Sequence, residues 1–272
     1  MENFRNKKYE ISLSGIPKGT EVTFCFLTDL HGALYGDGQE ELIAEIKKTK
    51  PDAILIGGDM IIRRKTESLS AASDLVTALA FSFPVFYAMG NHETRQRLPG
   101  KERSGYRKYE KKLKQAGVRF LYNSSAILTL RGCSIRIYGL ELPLVPWYKK
   151  PFVPALKKEA LDYYLNPCDT QMPAILLAHN PYFADTYFDW GADLTLCGHF
   201  HGGVLRFNEH LGLVSPMFRL FPRFCCGDFY QGEQCVLISG GLGEHTIRMR
   251  IHNPREILTV TLRERGETWP SM

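Results

Sequence analysis

The sequence predicts an α/β fold, on three observations. Short apolar runs alternate with amphipathic stretches of helical period. The runs are apolar at nearly every position, as in strands buried on both faces of a parallel sheet. Turns rich in Gly, Asp, His and Asn follow them directly. Repeated β-α-β units imply parallel strands and right-handed crossovers. No fixed-period repeat, low-complexity stretch or linker divides the chain, so residues 1–272 read as one domain.

Residues 22–28 form the first apolar run. A helix follows over 38–48, with Leu42, Ile43 and Ile46 on one side and mostly Glu and Lys on the other, and Pro51 ends it. Residues 53–56 are a second strand, 69–80 a second helix and 85–89 a third strand. A helix over 106–115 stops at Gly117, a suitable C-cap. Its cations Arg107, Lys108, Lys111, Lys112 and Lys114 read as a solvated face. Strands 126–130 and 134–138 then flank Arg131-Gly132 as a hairpin. Helix 155–165, strand 174–177, short helix 182–188 and strand 193–197 continue the alternation. Residues 236–239 and 257–262 are closing strands.

A hydrophobic fraction of 44% with 23% charged residues suits a soluble globular protein. The net charge of +5 favours an anionic substrate but is too small to argue for nucleic acid. Seven cysteines without a CxxC pair fit reduced thiols in a cytosolic protein. The opening MENFRNKKYE shows no signal peptide, and no run reaches the roughly 18–20 apolar residues that span a bilayer. The expectation is a cytoplasmic protein, with peripheral membrane contact left open.

Metal-ligand residue types cluster just past the strand ends. They occur in Thr28-Asp29-Leu30-His31-Gly32, Gly57-Gly58-Asp59, Gly90-Asn91-His92-Glu93, Ala178-His179-Asn180-Pro181 and Gly198-His199-Phe200-His201-Gly202-Gly203. In open α/β sheets such loops converge beyond the carboxyl ends of the strands. Each has an ordinary reading alone: a capped turn at Asp29, a left-handed turn at Asn91, an interior histidine at His179. Five in succession, each after a strand, outweigh those readings. Carboxylate, imidazole and carboxamide donors without thiolate suit Mn, Fe or Zn. A bridging Asp can hold two such ions about 3.5–4 Å apart, a pair that activates water and clamps a phosphoryl group.

The order D-x-H, G-D, G-N-H-[ED], H, G-H-x-H resembles the calcineurin-like metallophosphoesterases, which include purple acid phosphatases. Residues 202–203, 227–230, 240–243 and 253–257 are similar to the bacterial YkuE/YaeI-type branch. Members of that branch often carry an N-terminal membrane segment, and none is visible here. The resemblance implies a four-layer αββα sandwich, two mixed sheets flanked by helices with a dimetal centre at the strand ends. It implies Asp29, His31 and His201 on one metal, Asn91, His179 and His199 on the other, and Asp59 bridging. His92 is implied as the acid that protonates the leaving group; Glu93 would orient His92 or cap the next helix.

The expected reaction is hydrolysis of phosphate mono- or diesters by a metal-bridging hydroxide. A non-catalytic scaffold would have lost ligands, and a nuclease would carry a stronger basic stripe. Arg63, Arg64 and Arg95 follow ligand loops as candidate phosphate contacts. Residues 205–229 carry Phe207, Met217, Phe218, Leu220, Phe221, Phe224 and Phe229 with Arg206, Arg219 and Arg223. They read either as a lid favouring a lipid-linked phosphoester or as packing against the second sheet.

Overall fold

The computed structural model describes residues 4–62, 66–100, 103–148, 153–244 and 249–265. Two six-stranded mixed sheets lie face to face, with helices on both outer faces.

The first sheet has the order β1-β12-β2-β3-β4-β5. Its strands are β1 (Arg5–Leu13), β2 (Glu21–Leu27), β3 (Ala53–Ile56), β4 (Val85–Ala88), β5 (Arg119–Leu121) and β12 (Glu256–Glu264). β2 through β5 run parallel, while β12 pairs antiparallel with β2 and parallel with β1. The second sheet has the order β10-β11-β9-β8-β7-β6. It comprises β6 (Ser124–Leu130), β7 (Cys133–Leu140), β8 (Ala174–Ala178), β9 (Leu194–Cys197), β10 (Gly227–Gln231) and β11 (Gln234–Ile238). β6 and β7 form the expected hairpin.

The period of two along a strand sorts side chains between layers. Val22, Phe24 and Phe26 of β2 meet Ile135, Ile137, Leu177 and Leu196 in the core between the sheets. Cys25 and Leu27 of the same strand point outward, under helices α1 (Glu40–Lys48), α2 (Thr66–Ala80) and α4 (Arg103–Gln115). On the far face, α6 (Lys158–Leu165) and α7 (Ala184–Trp190) cover β8, β9 and β11 through Leu161, Tyr187 and Trp190. α4 buries Tyr106, Tyr109 and Leu113 and leaves its cations at 107, 108, 111, 112 and 114 exposed, as its spacing requires.

Several boundaries shift from expectation. A 3-10 turn, Asp37–Gln39, precedes α1, because Gly38 and Gln39 take left-handed backbone. Likewise Pro181–Phe183 is a 3-10 turn and α7 begins only after it. Two short helices, α3 (Asn91–Arg97) and the single turn α5 (Leu144–Trp147), complete the set. No helix among the described residues is long and apolar enough to cross a membrane.

Candidate active site

The parallel strands end in register, so the loops after β2, β3 and β4 leave at one level. Those after β8 and β9 leave the facing sheet beside them. Hydrogen bonds tie the two sets together. The His199 amide donates to Asp29 Oδ2 at 2.9 Å, and His179 Nδ1 lies 2.8 Å from the Gly57 carbonyl. The Leu242 and Gly243 amides, past β11, donate to the carbonyls of Thr28 and Asp29.

Tight backbone allows this convergence. Asp29, His31, Asp59, His199 and His201 all have positive φ, between 49° and 66°. Non-glycine residues there are costly, and such residues gather at functional sites. Gly58, at φ 92°, packs its Cα against the Gly90 backbone, where a Cβ would collide. Asn91 is not in a left-handed turn: it opens α3, and its side chain is buried at the helix start.

The result is a compact cluster of donors. Asp29 Oδ1 is 3.6 Å from His31 Nε2 and 3.5 Å from His201 Nε2. Asp59 Oδ2 is 3.1 Å from His179 Nε2 and 4.0 Å from His92 Nε2. Three groups have ligand atoms close enough to share an ion: Asp29–His31–His201, His31–Asp59–His92 and Asp59–His179–His199. His92 thus lies within ligand distance, and its amide also donates to Asp59 Oδ1 at 2.8 Å.

These residues fit metal ions on chemical grounds. His31 Nε2 and His201 Nε2 approach to 3.1 Å, an arrangement that a shared cation stabilises. Among the described residues no donor satisfies the buried Asp29 Oδ1 or Asn91 Oδ1 in hydrogen-bonding geometry. Burial alone would raise the carboxyls of Asp29 and Asp59, yet the surrounding histidines hold both below the usual range. Burial also keeps His201 neutral, pushed down to about 3, and holds His199 well below its ordinary value, the state in which imidazole binds metal. His179 goes the other way: Asp59 and Asp29 outweigh its burial and raise it to about 10. The site therefore draws positive charge onto itself.

A calcineurin-like phosphoesterase family model matches residues 22–203, a span that contains all these donors. The chain belongs to the calcineurin-like phosphoesterase family. It is 32% identical to the phosphodiesterase YaeI of Escherichia coli over 222 residues, covering 80% of this chain and 74% of that one. An uncharacterized metallophosphoesterase of Aquifex aeolicus is 24% identical over 270 residues, covering 96% and 93%. The structure of a protein assigned as a 5'-nucleotidase from Staphylococcus aureus superposes with a TM-score of 0.53. Its 12% identity, over 93% of this chain and 56% of that one, speaks for the fold alone.

In this family member a cavity of about 180 Å³ opens over the cluster, with His31, Asp59, Asn91, His92, His199 and His201 on its floor. Arg95 lines it, whereas Arg63 and Arg64 lie outside the described residues. Residues 205–229 divide between buried positions and the cavity wall. Met217, Phe224, Cys225 and Cys226 are buried, three of them packed around Phe200. Val214, Pro216, Met217 and Phe218 wall the cavity.

Some contributors had their partners hidden in the sequence, and others were not singled out at all. Glu93 does not reach for the His92 ring. Its carboxylate accepts from the amides of Asp59 (2.8 Å), Met60 (2.9 Å) and Gly90 (3.1 Å), and from the Tyr87 hydroxyl. It caps α3 and fixes the Asp59 loop in one stroke, and burial beside Asp59 raises it to about 7. The Asn253 amide donates to the His201 carbonyl at 2.6 Å, and Arg206 forms a buried ion pair with Glu256 behind that loop. Tyr148 sets its ring edge-on to His199, and Arg250 lines the cavity. Asn253 and Glu256 fall in the stretch 253–257 that carried the narrower resemblance. Arg250 and Tyr148 had no local signal, because only the fold brings them here.

Proposed function

We propose that this chain is a dimetal phosphoesterase that cleaves phosphate diesters or monoesters, with His92 as the general acid. The observation that carries the reading is the set of three overlapping His/Asp groups, chained through His31 and Asp59, on the floor of an open cavity. Asp29, His31 and His201 would hold one ion; Asn91, His179 and His199 would hold the other, with Asp59 between them. Such ions, of Mn, Fe or Zn type by donor chemistry, supply positive charge for phosphoryl oxygens and ease ionisation of water.

The chain's own residues do the rest. His179 Nδ1 faces the Gly57 carbonyl and His201 Nδ1 the Gly243 carbonyl at 3.2 Å, which leaves each Nε2 to the ions. His92, anchored through its backbone on Asp59 and lining the cavity, would pass a proton to a departing oxygen. Arg95 and Arg250 supply cations on the cavity wall for a phosphate group. The phosphodiesterase name of the YaeI relative supports diesters.

Two substitutions test the assignment. His92→Ala should keep its metal and lose about 10²–10⁴-fold in turnover of bis-p-nitrophenyl phosphate. Asp59→Asn should purify with less metal by elemental analysis. Wild-type turnover in His92→Ala would remove it from the chemistry.

A further inference from the structure

We propose that the cavity rim is a membrane-docking surface, and that the phosphoester cleaved there is carried by an amphiphile in an anionic bilayer. The substrate half rests on the phosphoesterase reading; the docking half stands on the rim alone.

The rim exposes large apolar side chains together. Phe218 is 70% exposed, Leu220 67%, Phe221 53% and Met249 51%. Exposed residues such as Phe81 and Tyr163 also occur far off in the chain, and single ones need no account. Here they are linked: Phe218 and Met249 line the cavity, Leu220 bridges to the cavity-wall residue Val214, and Phe221 next to it packs on Phe207 with ring centres 5.9 Å apart. A contiguous apolar surface of this kind marks an interaction site.

The local backbone holds these rings outward. Phe218 and Phe221 have φ of 56° and 48°, a region costly for bulky side chains. Cross-bonds fix them: Phe218 N–H to the Ser215 carbonyl, Ser215 N–H to the Arg219 carbonyl, and Phe221 N–H to the Leu213 carbonyl. The Phe221 ring, held on strained backbone and more than half exposed, implies a partner that covers it.

Charge selects the partner. Residues 217–224, MFRLFPRF, contain two arginines and no acid, and both arginines are exposed. Arg223 is paired with Asp185, while Arg219 lies over the Tyr182 ring. Aromatic and aliphatic tips interleaved with arginine suit a lipid interface, where the apolar groups enter about 5–10 Å and the cations meet anionic headgroups. The cavity continues the same polarity. Val204, Val214, Pro216, Met217, Phe218 and Met249 form an apolar wall leading down to the His and Asp floor. An amphiphile fits with its phosphoester on the floor and its chain along the wall towards the bilayer.

The test uses the full chain with vesicles of phosphatidylcholine, with and without phosphatidylglycerol. Wild type should co-sediment with the phosphatidylglycerol vesicles and more weakly with phosphatidylcholine alone. The double variant Leu220→Ser/Phe221→Ser should partition about tenfold or more weakly. Both side chains are more than half exposed, so the core stays packed. Wild type should also cleave hexadecyl p-nitrophenyl phosphate in those vesicles at least about tenfold more efficiently than methyl p-nitrophenyl phosphate in solution, and the variant should lose that preference. Wild type left in the supernatant, or a variant that sediments equally, overturns the docking surface. So does elution as a dimer that the variant converts to a monomer, which assigns the patch to a second copy. Equal cleavage of the two esters overturns the substrate class. Binding without cleavage of either ester upholds docking and overturns the phosphoesterase reading instead.

Discussion

The floor and the rim of one cavity are built on opposite terms. The floor is buried, polar and held from five strand ends; its ligand loops pass hydrogen bonds to one another across the two sheets. The rim is exposed and apolar, and comes mainly from one segment with isolated bridges in place of strands, joined by Met249. The family match ends at Gly203, where the floor stops and the rim begins. The candidate metal ligands therefore lie within the matched span, and the exposed rim lies outside it.

Substitutions can break or sharpen this contrast. The largest effect is expected behind the floor. Glu256 is buried, accepts the Gly240 amide at 2.7 Å and pairs with Arg206. Glu256→Gln should cost about 3–5 kcal/mol at pH 7, by stranding a buried guanidinium. The acid limb gives an independent check. Burial would raise the Glu256 carboxyl, but Arg206 holds it below its ordinary value. A depressed folded pKa contributes stability that is fully present above the unfolded value of about 4.3. That stability is lost as pH falls through the folded pKa. The gap between wild type and Glu256→Gln in urea midpoint should thus be widest near neutrality and close below about pH 4. A gap independent of pH would show that the ion pair contributes nothing.

Next comes Glu93→Gln, which turns an amide NH₂ towards donors that now face a carboxylate. A loss of about 2–3 kcal/mol in unfolding free energy is expected, together with lower metal occupancy by elemental analysis. Stability loss without metal loss would separate the α3 cap from the Asp59 loop. The smallest effect belongs to the rim. Phe218→Gly removes a left-handed phenylalanine, worth about 1–2 kcal/mol, and returns about 0.5–1 kcal/mol of unfolded-chain entropy. Its thermal midpoint should rise slightly or stay level, whereas a marked fall would make the rim part of the core.

The same contrast explains what could be read from sequence. β3 was legible to the residue, because four consecutive apolar side chains are buried on both faces. β1 was not: RNKKYEISL lies at a sheet edge, half-buried or exposed until its last residues, and its polar composition gives no strand signal. β5 is too short for periodicity, and α3 was hidden because its first turn is made of site residues. The donors themselves were legible because each follows a strand that fixes its place. Glu93 was noticed but its partners were not, since holding the 59–60 amides is a relation across 33 and 34 residues. Residues 205–229 gave no period because their shape is set by cross-bonds such as Leu213 N–H to the Leu205 carbonyl.

β12 slots between β1 and β2, although it comes last of all the strands. On the ribosome, β2 and its Asp29 loop emerge early and must wait for nearly the whole remaining chain before that edge is paired. At about 5–20 residues per second, the delay is on the order of ten seconds or more. The first ligand loop is thus made long before its β12 edge is paired.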